Sequence, residues 1–528
     1  MITINEIDAF SWPFREARKI LLRLEKMGKN TCVIASGFGP SGAPHLGTIG
    51  EVLRLSYVIR ALRELSDVSI RFLVFADDKD GLRRIPDVPG ITKEIMQPHL
   101  GKSLTSIPDP FGCCPSFGEH NTNQLQSMLH DYNIEYEFMS ATKIYESGQM
   151  NKVLRRVMQN HTQISRIVGS TMNSAREKEY SPFMPLSPIT NRILQVPIEK
   201  YDTIEDTITY QEDGVRLVNS IYNGHCKLQW KVDWGARWVA FDVDYEMYGK
   251  DLIDSMTLSS QVCSILGGTT PENSFFELFV DENGRKVSKS KGNGIVYEEW
   301  LKYGTKNCMK YYMFQSPQSA KKLSVKAIMH CMEEYAQSMG KYSQQTKREQ
   351  YDNPIWHVFG GRVTVNNKKP LSFEMLINLA ILCNAQHYQT LISLITKYDI
   401  NYVIDEECVE IAKRAVYCYQ KLHYDNVLNT TITFNLYEQN IIKETIKLLS
   451  ERSHNTTHEG ESDLQNKLYE LAKSVANLDI KIFFETIYMA LLHKKHGPRL
   501  ATLFWLYGIP QSIIKLEKVI DTMIDITI

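Results

Sequence analysis

The period of the apolar residues changes along the chain, and the changes outline its elements. "TCVIASGF" (Thr31–Phe38) is a short apolar run entering a turn of glycine, proline and serine, as a buried strand does. In "TIGEVLRLSYVIRALREL", Ile49, Val52, Leu55, Ile59 and Leu62 recur at helical spacing and make one apolar face. "VSIRFLVFADD" returns to a strand pattern and stops at Asp77 and Asp78. Strand, helix and strand form a βαβ unit, whose right-handed crossover favours a parallel sheet. Ligands of such sheets bind at the carboxyl ends of strands, where the glycine-rich turn and the Asp77-Asp78 pair both belong.

Residues of about 85–225 interrupt this pattern with proline-rich loops, the helical Gln149–Val168 and a hairpin at Asp213-Gly214. They are read as an insertion between two halves of the sheet. The α/β pattern resumes in "WGARWVAFDVDYEMYGKD", the helical "SMTLSSQVCSIL" and the strand "SFFELFV". Beyond about residue 322 the strand signal fades, and segments such as "KAIMHCMEEYAQSM" and "YEQNIIKETIKLLSER" are amphipathic at helical spacing. The expected fold is a Rossmann-like α/β domain over 1–280, a loop and connecting stem over 281–325, and an all-α region over 326–528. Ser450–Asp463 is expected to be an inter-helix loop.

At 528 residues the chain exceeds one core. A composition of 43% apolar and 23% charged residues excludes wholesale disorder, and a net charge of −1 leaves any polyanion to local basic patches. Ten cysteines show no CxxC pair, and adjacent Cys113-Cys114 is unlike common zinc spacing. With no secretory leader and no continuous apolar span, a cytoplasmic protein without membrane contact is expected.

"SGFGPSGAPHLGTIGEV" holds neither GxxxxGK[ST] nor GxGxxG. Its glycines would let a ligand approach the backbone, and the helix start after it favours anions; a plain βα turn is an equal reading. "KVSKSKGN" (Lys286–Asn293), read alone, is a solvated loop.

Read together, Pro44-His45-Leu46-Gly47 after the first strand and Lys286-Val287-Ser288-Lys289-Ser290 after the last resemble the two signatures of class I aminoacyl-tRNA synthetases, commonly HIGH and KMSKS. Thr48 replaces the final histidine of the first, and valine the methionine of the second. The resemblance implies an ATP site of Pro44, His45, Gly47, Thr48, Asp251, Lys286, Ser288, Lys289 and Ser290, with His45, Lys286 and Lys289 acting on the phosphates. Amino-acid activation is attack of a carboxylate on the α-phosphate, so positioning and preorganised cations suffice and no nucleophilic side chain is needed.

"SGFGPSGAPHLGTIGEVLR", "FADDKDGLRRIP", "GHCKLQWKVDWGARWVAFDVDYEMYGKDLIDS" and "GPRL" (Gly497–Leu500) resemble the class I lysyl-tRNA synthetase family over most of the chain. That family implies lysine, ATP with Mg2+, and tRNA(Lys) as partners, with an α-helical anticodon-binding part at 326–528. A lysine ammonium needs acceptor oxygens and aromatic walls. Asp77, Asp78, Glu51, Trp230, Asp233 and Trp234 are of these types, and the family implies Gly37, Gly39, Asp77, Trp230 and Phe276 as the lysine site. Core packing for the tryptophans and turn capping for Asp77 are the competing readings.

Leu252 stands where the family often has a histidine, so that contact is not carried over. Met184 and Ser187 stand where some relatives have zinc-binding cysteines, so no structural zinc is expected. Leu82–Arg84, Lys321–Lys326 and His493–Arg499 are candidate tRNA patches, each also readable as a solvated face, and Phe504, Trp505 and Tyr507 are candidate base-stacking rings. A monomer is expected. The alternatives are another class I synthetase, such as one for glutamate, and a non-catalytic tRNA-binding paralogue.

Overall fold

The computed structural model describes residues 3–86, 88, 90–172, 180–287, 295–363, 372–398, 402–426, 432–451, 458–475 and 479–524. The chain divides into two compact units. One comprises Met1–Tyr297, Tyr312–Ser324 and Lys347–Gly361; the other comprises Glu298–Tyr311, Val325–Thr346 and Arg362–Ile528.

The first unit is built on a five-stranded parallel sheet. After helix α1 (Trp12–Met27) come strand β1 (Thr31–Phe38), helix α2 (Leu46–Leu65) and strand β2 (Ser69–Ala76). Strand β3 (Glu137–Ser140), helix α3 (Trp230–Phe241), strand β4 (Tyr245–Gly249), helix α4 (Ile253–Ile265) and strand β5 (Glu272–Phe276) complete the frame. The strand order is β5-β4-β1-β2-β3, and all neighbours are parallel. Chain reversal of order at β1 puts a crevice beyond its carboxyl end, between β1 and β4.

The βαβ reading of residues 31–76 matches β1, α2 and β2, with Ile49, Val52, Leu55, Ile59 and Leu62 all buried. Strand β1 is buried from Cys32 to Ser36 because neighbours cover it on both sides, so it shows a run rather than an alternation. One strand lies where sequence gave only an insertion: Glu137–Ser140 pairs with Leu73–Ala76 at the edge of the main sheet. Four residues are too few to show a period. The hairpin at Asp213-Gly214 joins Thr207–Glu212 to Val215–Ser220, with φ of 48° and 82° at its two turn residues. Expected as one strand, "SFFELFV" is two: Glu272–Phe276 joins the main sheet, whereas Phe279–Val280 pairs with Lys321–Lys322.

In the second unit, the described residues are predominantly helical, including Val325–Tyr342, Phe373–Cys383, Glu406–Asn426, Leu436–Ser450 and Ile480–Leu492. Of the loop expected over Ser450–Asp463, residues 452–457 lie outside the described residues. Helix His458–Val475 takes in its second half, where the solvent face of a helix is polar as well.

Candidate active site

The turn after β1 delivers His45 to the start of α2, where it is the N-cap: its Nδ1 accepts from the backbone N–H of Thr48 at 3.2 Å. Gly47 makes this possible. A Cβ at that position would stand 2.8 Å from both Cε1 and Nδ1 of the His45 ring. Pro44 is buried beneath the turn, while His45 is exposed and Gly47 and Thr48 are half-buried. An exposed imidazole thus crowns a helix N-terminus of 20 residues, a place that favours anions.

On the other side of the crevice, β4 ends in Gly249 and leads to Asp251. A Cβ on Gly249 would meet Asp251 Oδ1 at 2.8 Å, so glycine lets that carboxylate fold back. Lys286 Nζ donates to Asp251 Oδ2 at 3.0 Å. Val287 N donates to Phe279 O at 2.9 Å and Val280 bridges Lys286, so the start of the lysine loop is anchored on strand Phe279–Val280. Ser288, Lys289 and Ser290 lie outside the described residues.

An acidic and aromatic group lies between β1, α2 and β4. Glu51 Oε1 accepts from Ser36 Oγ at 2.6 Å and from the exposed Gly37 N–H at 3.4 Å. Glu246 accepts from Trp234 Nε1 at 3.0 Å and from Trp238 Nε1 at 2.5 Å. Half-buried Trp230 stacks on Trp234 with centroids 5.3 Å apart and planes at 21°, and Tyr248 meets Trp234 edge-on at 5.9 Å. Burial pushes the Glu51 carboxyl up to about 8, with the nearby Glu246 adding to the rise and the Ser36 hydrogen bond opposing it. Burial likewise raises Glu246 to about 7, against its two indole donors. Two carboxyls whose ionisation is disfavoured by burial, beside aromatic faces, would ionise more readily next to an incoming cation.

The structure brings Gly37, Glu51 and Trp230 toward this group and places Phe276, buried, at the end of β5. Gly39 is exposed in the turn. Asp77 has other company: Arg237 pairs with both Asp77 and Asp233, and Tyr145 donates to Asp233. Burial raises the Asp77 carboxyl, while the Arg237 guanidinium pulls it down. Asp78, buried, accepts from Ser140 Oγ at 2.5 Å and from Thr142 N at 2.7 Å. Leu252 is half-buried and packs on the core of the first unit.

Sequence reasoning missed Glu246. A glutamate in "DYEMYGK" reads as the solvent side of a strand, and only β4's place between β5 and β1 buries it. It also set Cys113-Cys114 aside as unlike common zinc spacing, whereas the structure groups them with Asp109 and His120, the ligand atoms all lying within 4.8 Å of one another. His120 Nδ1 stands 3.1 Å from Cys113 Sγ, and Phe111 stacks on its ring at 4.6 Å. Two thiols, an imidazole and a carboxylate at this spacing fit a tetrahedral zinc-type ion. The contact order 109, 113, 114, 120 lacks the paired CxxC spacing that would have marked it.

Of the candidate tRNA patches, Lys321 is buried, giving Nζ to the carbonyls of Tyr312 at 3.2 Å and Gln315 at 2.7 Å. Phe504 is core, whereas Trp505 and Tyr507 are half-buried and His493–His496 is exposed. No helix among the described residues is long and apolar enough to cross a membrane.

The family described as tRNA synthetases class I (K) matches residues 10–362. The lysine–tRNA ligase of Rickettsia felis is 36% identical over 520 residues, covering 97% of this chain and 98% of its own. That of Rickettsia africae is 36% identical over 525 residues, again covering 97% and 98%. A solved glutamate tRNA ligase from Elizabethkingia meningosepticum aligns at a TM-score of 0.39 and 12% identity, over 93% of this chain and all of its own. With the family matched over residues 10–362 and relatives 36% identical along 97% of its length, the chain belongs to the class I lysyl-tRNA synthetase family.

Proposed function

We propose that this chain, a class I lysine–tRNA ligase, activates L-lysine with ATP and passes it to the 3′-terminal adenosine of tRNA(Lys), using the crevice between β1 and β4. The observation that carries this reading is the group of Glu51, Glu246 and stacked tryptophans set beside the His45 turn.

Glu51 and Glu246 receive the side-chain ammonium of lysine, whose approach ionises them, and Trp230 covers its alkyl stem. The backbone around Gly37 and Gly39 meets the α-amino end, and Phe276 supports the far wall. Asp77, paired with Arg237, orders the pocket wall as well as lying near the substrate. His45, Thr48 and the amides of α2 hold the phosphates, with Pro44 and Gly47 shaping the turn. Lys286 exchanges Asp251 for the triphosphate, and Lys289, with Ser288 and Ser290, completes the closure. Mg2+ enters with ATP. The lysine carboxylate attacks the α-phosphorus, its phosphoanhydride bond to pyrophosphate breaks, and the terminal 2′-hydroxyl of tRNA then displaces AMP.

In this reading residues 1–280 are catalytic, 281–325 carry the loop and stem, and 326–528 bind the anticodon, in a monomeric cytoplasmic enzyme. No zinc is proposed at Met184 and Ser187. Asp109, Cys113, Cys114 and His120 instead hold one structural zinc ion.

Amino-acid-dependent ATP–pyrophosphate exchange with the twenty standard amino acids tests the reading. Exchange should be fastest with lysine. A faster rate with glutamate, or no exchange by a protein that binds tRNA, would defeat it.

A further inference from the structure

We infer that Arg54 is a positioning residue that sets the His45 turn against the stem of the lysine loop; this rests on the phosphate roles proposed for His45 and Lys286. Arg54 lies on α2, downstream of His45, and is 1% exposed. Among the described residues neither its Nε nor its Nη1 meets a hydrogen-bond acceptor, and Nη2 has only the Met313 sulfur at 3.9 Å.

What surrounds the guanidinium is aromatic. Its carbon stands 4.6 Å from the ring centre of Phe276 and 6.0 Å from that of Phe279. A buried cation without hydrogen bonds is expensive, and an apolar side chain of similar length would fill the space at less cost. Helix α2 also carries a bare glycine where Met313 and the guanidinium come close. A Cβ on Gly50 would lie 3.1 Å from Arg54 Nη1 and 2.8 Å from Met313 Sδ. Two unfavourable choices at one spot, a bare glycine within a helix and a buried arginine without an oxygen acceptor, point to a role that packing does not supply.

The two rings identify that role. Phe276 ends β5, and Phe279 accepts the amide of Val287, while its neighbour Val280 bridges Lys286. The backbone holding these rings is therefore the backbone from which the lysine loop departs. A cation drawn to both ring faces fixes the stem against the same helix that presents His45. Both ends act on one triphosphate, so a small change in their separation costs rate more than it costs ground-state binding.

The test uses the full chain and initial rates of lysine-dependent pyrophosphate exchange, with melting temperatures alongside. Arg54→Met should lower kcat about tenfold or more while KM for lysine stays within about twofold. Arg54→Lys should recover most of that loss, because it restores the charge over the rings. An Arg54→Met enzyme with native kcat, or an Arg54→Lys enzyme as slow as Arg54→Met, overturns the inference. So does a loss confined to KM for lysine. Phe279→Leu keeps Arg54 and removes one ring, and should show the same selective fall in kcat; a native rate there also overturns the inference, even where Arg54→Met fails to fold. Native exchange with lysine is measured in parallel, so a fast native enzyme with an equally fast Arg54→Met twin defeats only the role of Arg54.

Discussion

Lys286 Nζ stands 3.0 Å from Asp251 Oδ2, tying the first lysine of the loop to the second residue beyond the end of β4. Both side chains are about half exposed, at 52% and 46%. An exposed pair of this kind is worth about 0–1 kcal/mol, so Asp251 parks Lys286 without holding it firmly. Lys286→Ala should lower kcat for pyrophosphate exchange by about 10²- to 10³-fold, the scale for loss of a group that meets transition-state charge. Its KM for lysine should stay near native. Steady-state exchange kinetics decide this, and a loss confined to lysine KM would exclude the phosphate role.

Gly47→Ala separates stability from function. Alanine favours a helix by about 1 kcal/mol over glycine, but here its Cβ would sit 2.8 Å from the His45 ring. The imidazole must turn away from its cap position. Exchange activity should fall by about tenfold or more, since misplacing one phosphate-binding group is enough. Thermal melting should change little, because the helix gain offsets the lost cap.

Lysine binding should release a proton near neutral pH. The Glu51 carboxyl, raised to about 8, is largely protonated at pH 7, whereas the form that pairs with an ammonium is the carboxylate. Bound cation pulls its pKa down, so the proton leaves on binding, and affinity should rise with pH up to about 8. Calorimetry in buffers of different ionisation enthalpy measures the release. Glu51→Gln should weaken binding and reduce the proton release; an unchanged release would reassign it to Glu246, raised to about 7.

Arg237→Met should destabilise the protein strongly. Arg237 bridges Asp77 and Asp233 at 9% exposure, and removing one partner of a buried pair costs about 3–5 kcal/mol. Denaturant unfolding should show a lower midpoint. Asp77→Asn, which keeps the shape, discriminates between wall and ligand: a raised KM for lysine with a near-native midpoint supports direct contact.

The group at Asp109, Cys113, Cys114 and His120 should bind one metal ion per chain. Elemental analysis of protein purified without chelator should find zinc near one equivalent, and cobalt exchange should give the absorption of tetrahedral thiolate ligation. Cys113→Ser should abolish it. An absence of bound metal after zinc incubation would remove this assignment.

Which features were legible in the sequence follows from the range of the forces involved. The strand at Thr31–Phe38 and the helix after it announce themselves, since neighbours a few residues apart share one buried face. The two signatures could be paired because each is contiguous and their order along the chain is fixed. Asp77 was legible as an acid at a strand end, but its bond to Arg237, 160 positions on, was not. Glu246 gave no signal in the sequence, because only the placing of β4 between two strands buries it.

The sequence by itself determined the elements, the family and the chemical types at the crevice, because these depend on local periodicity and contiguous motifs. Only the tertiary structure decided which charges are spent on one another. Arg237 pairs with Asp77 and Asp233, burial raises the Glu51 and Glu246 carboxyls beside the crevice, and Arg54 lies against Phe276 without an oxygen acceptor. Burial and through-space distance set those outcomes, and neither is a property of positions along the chain.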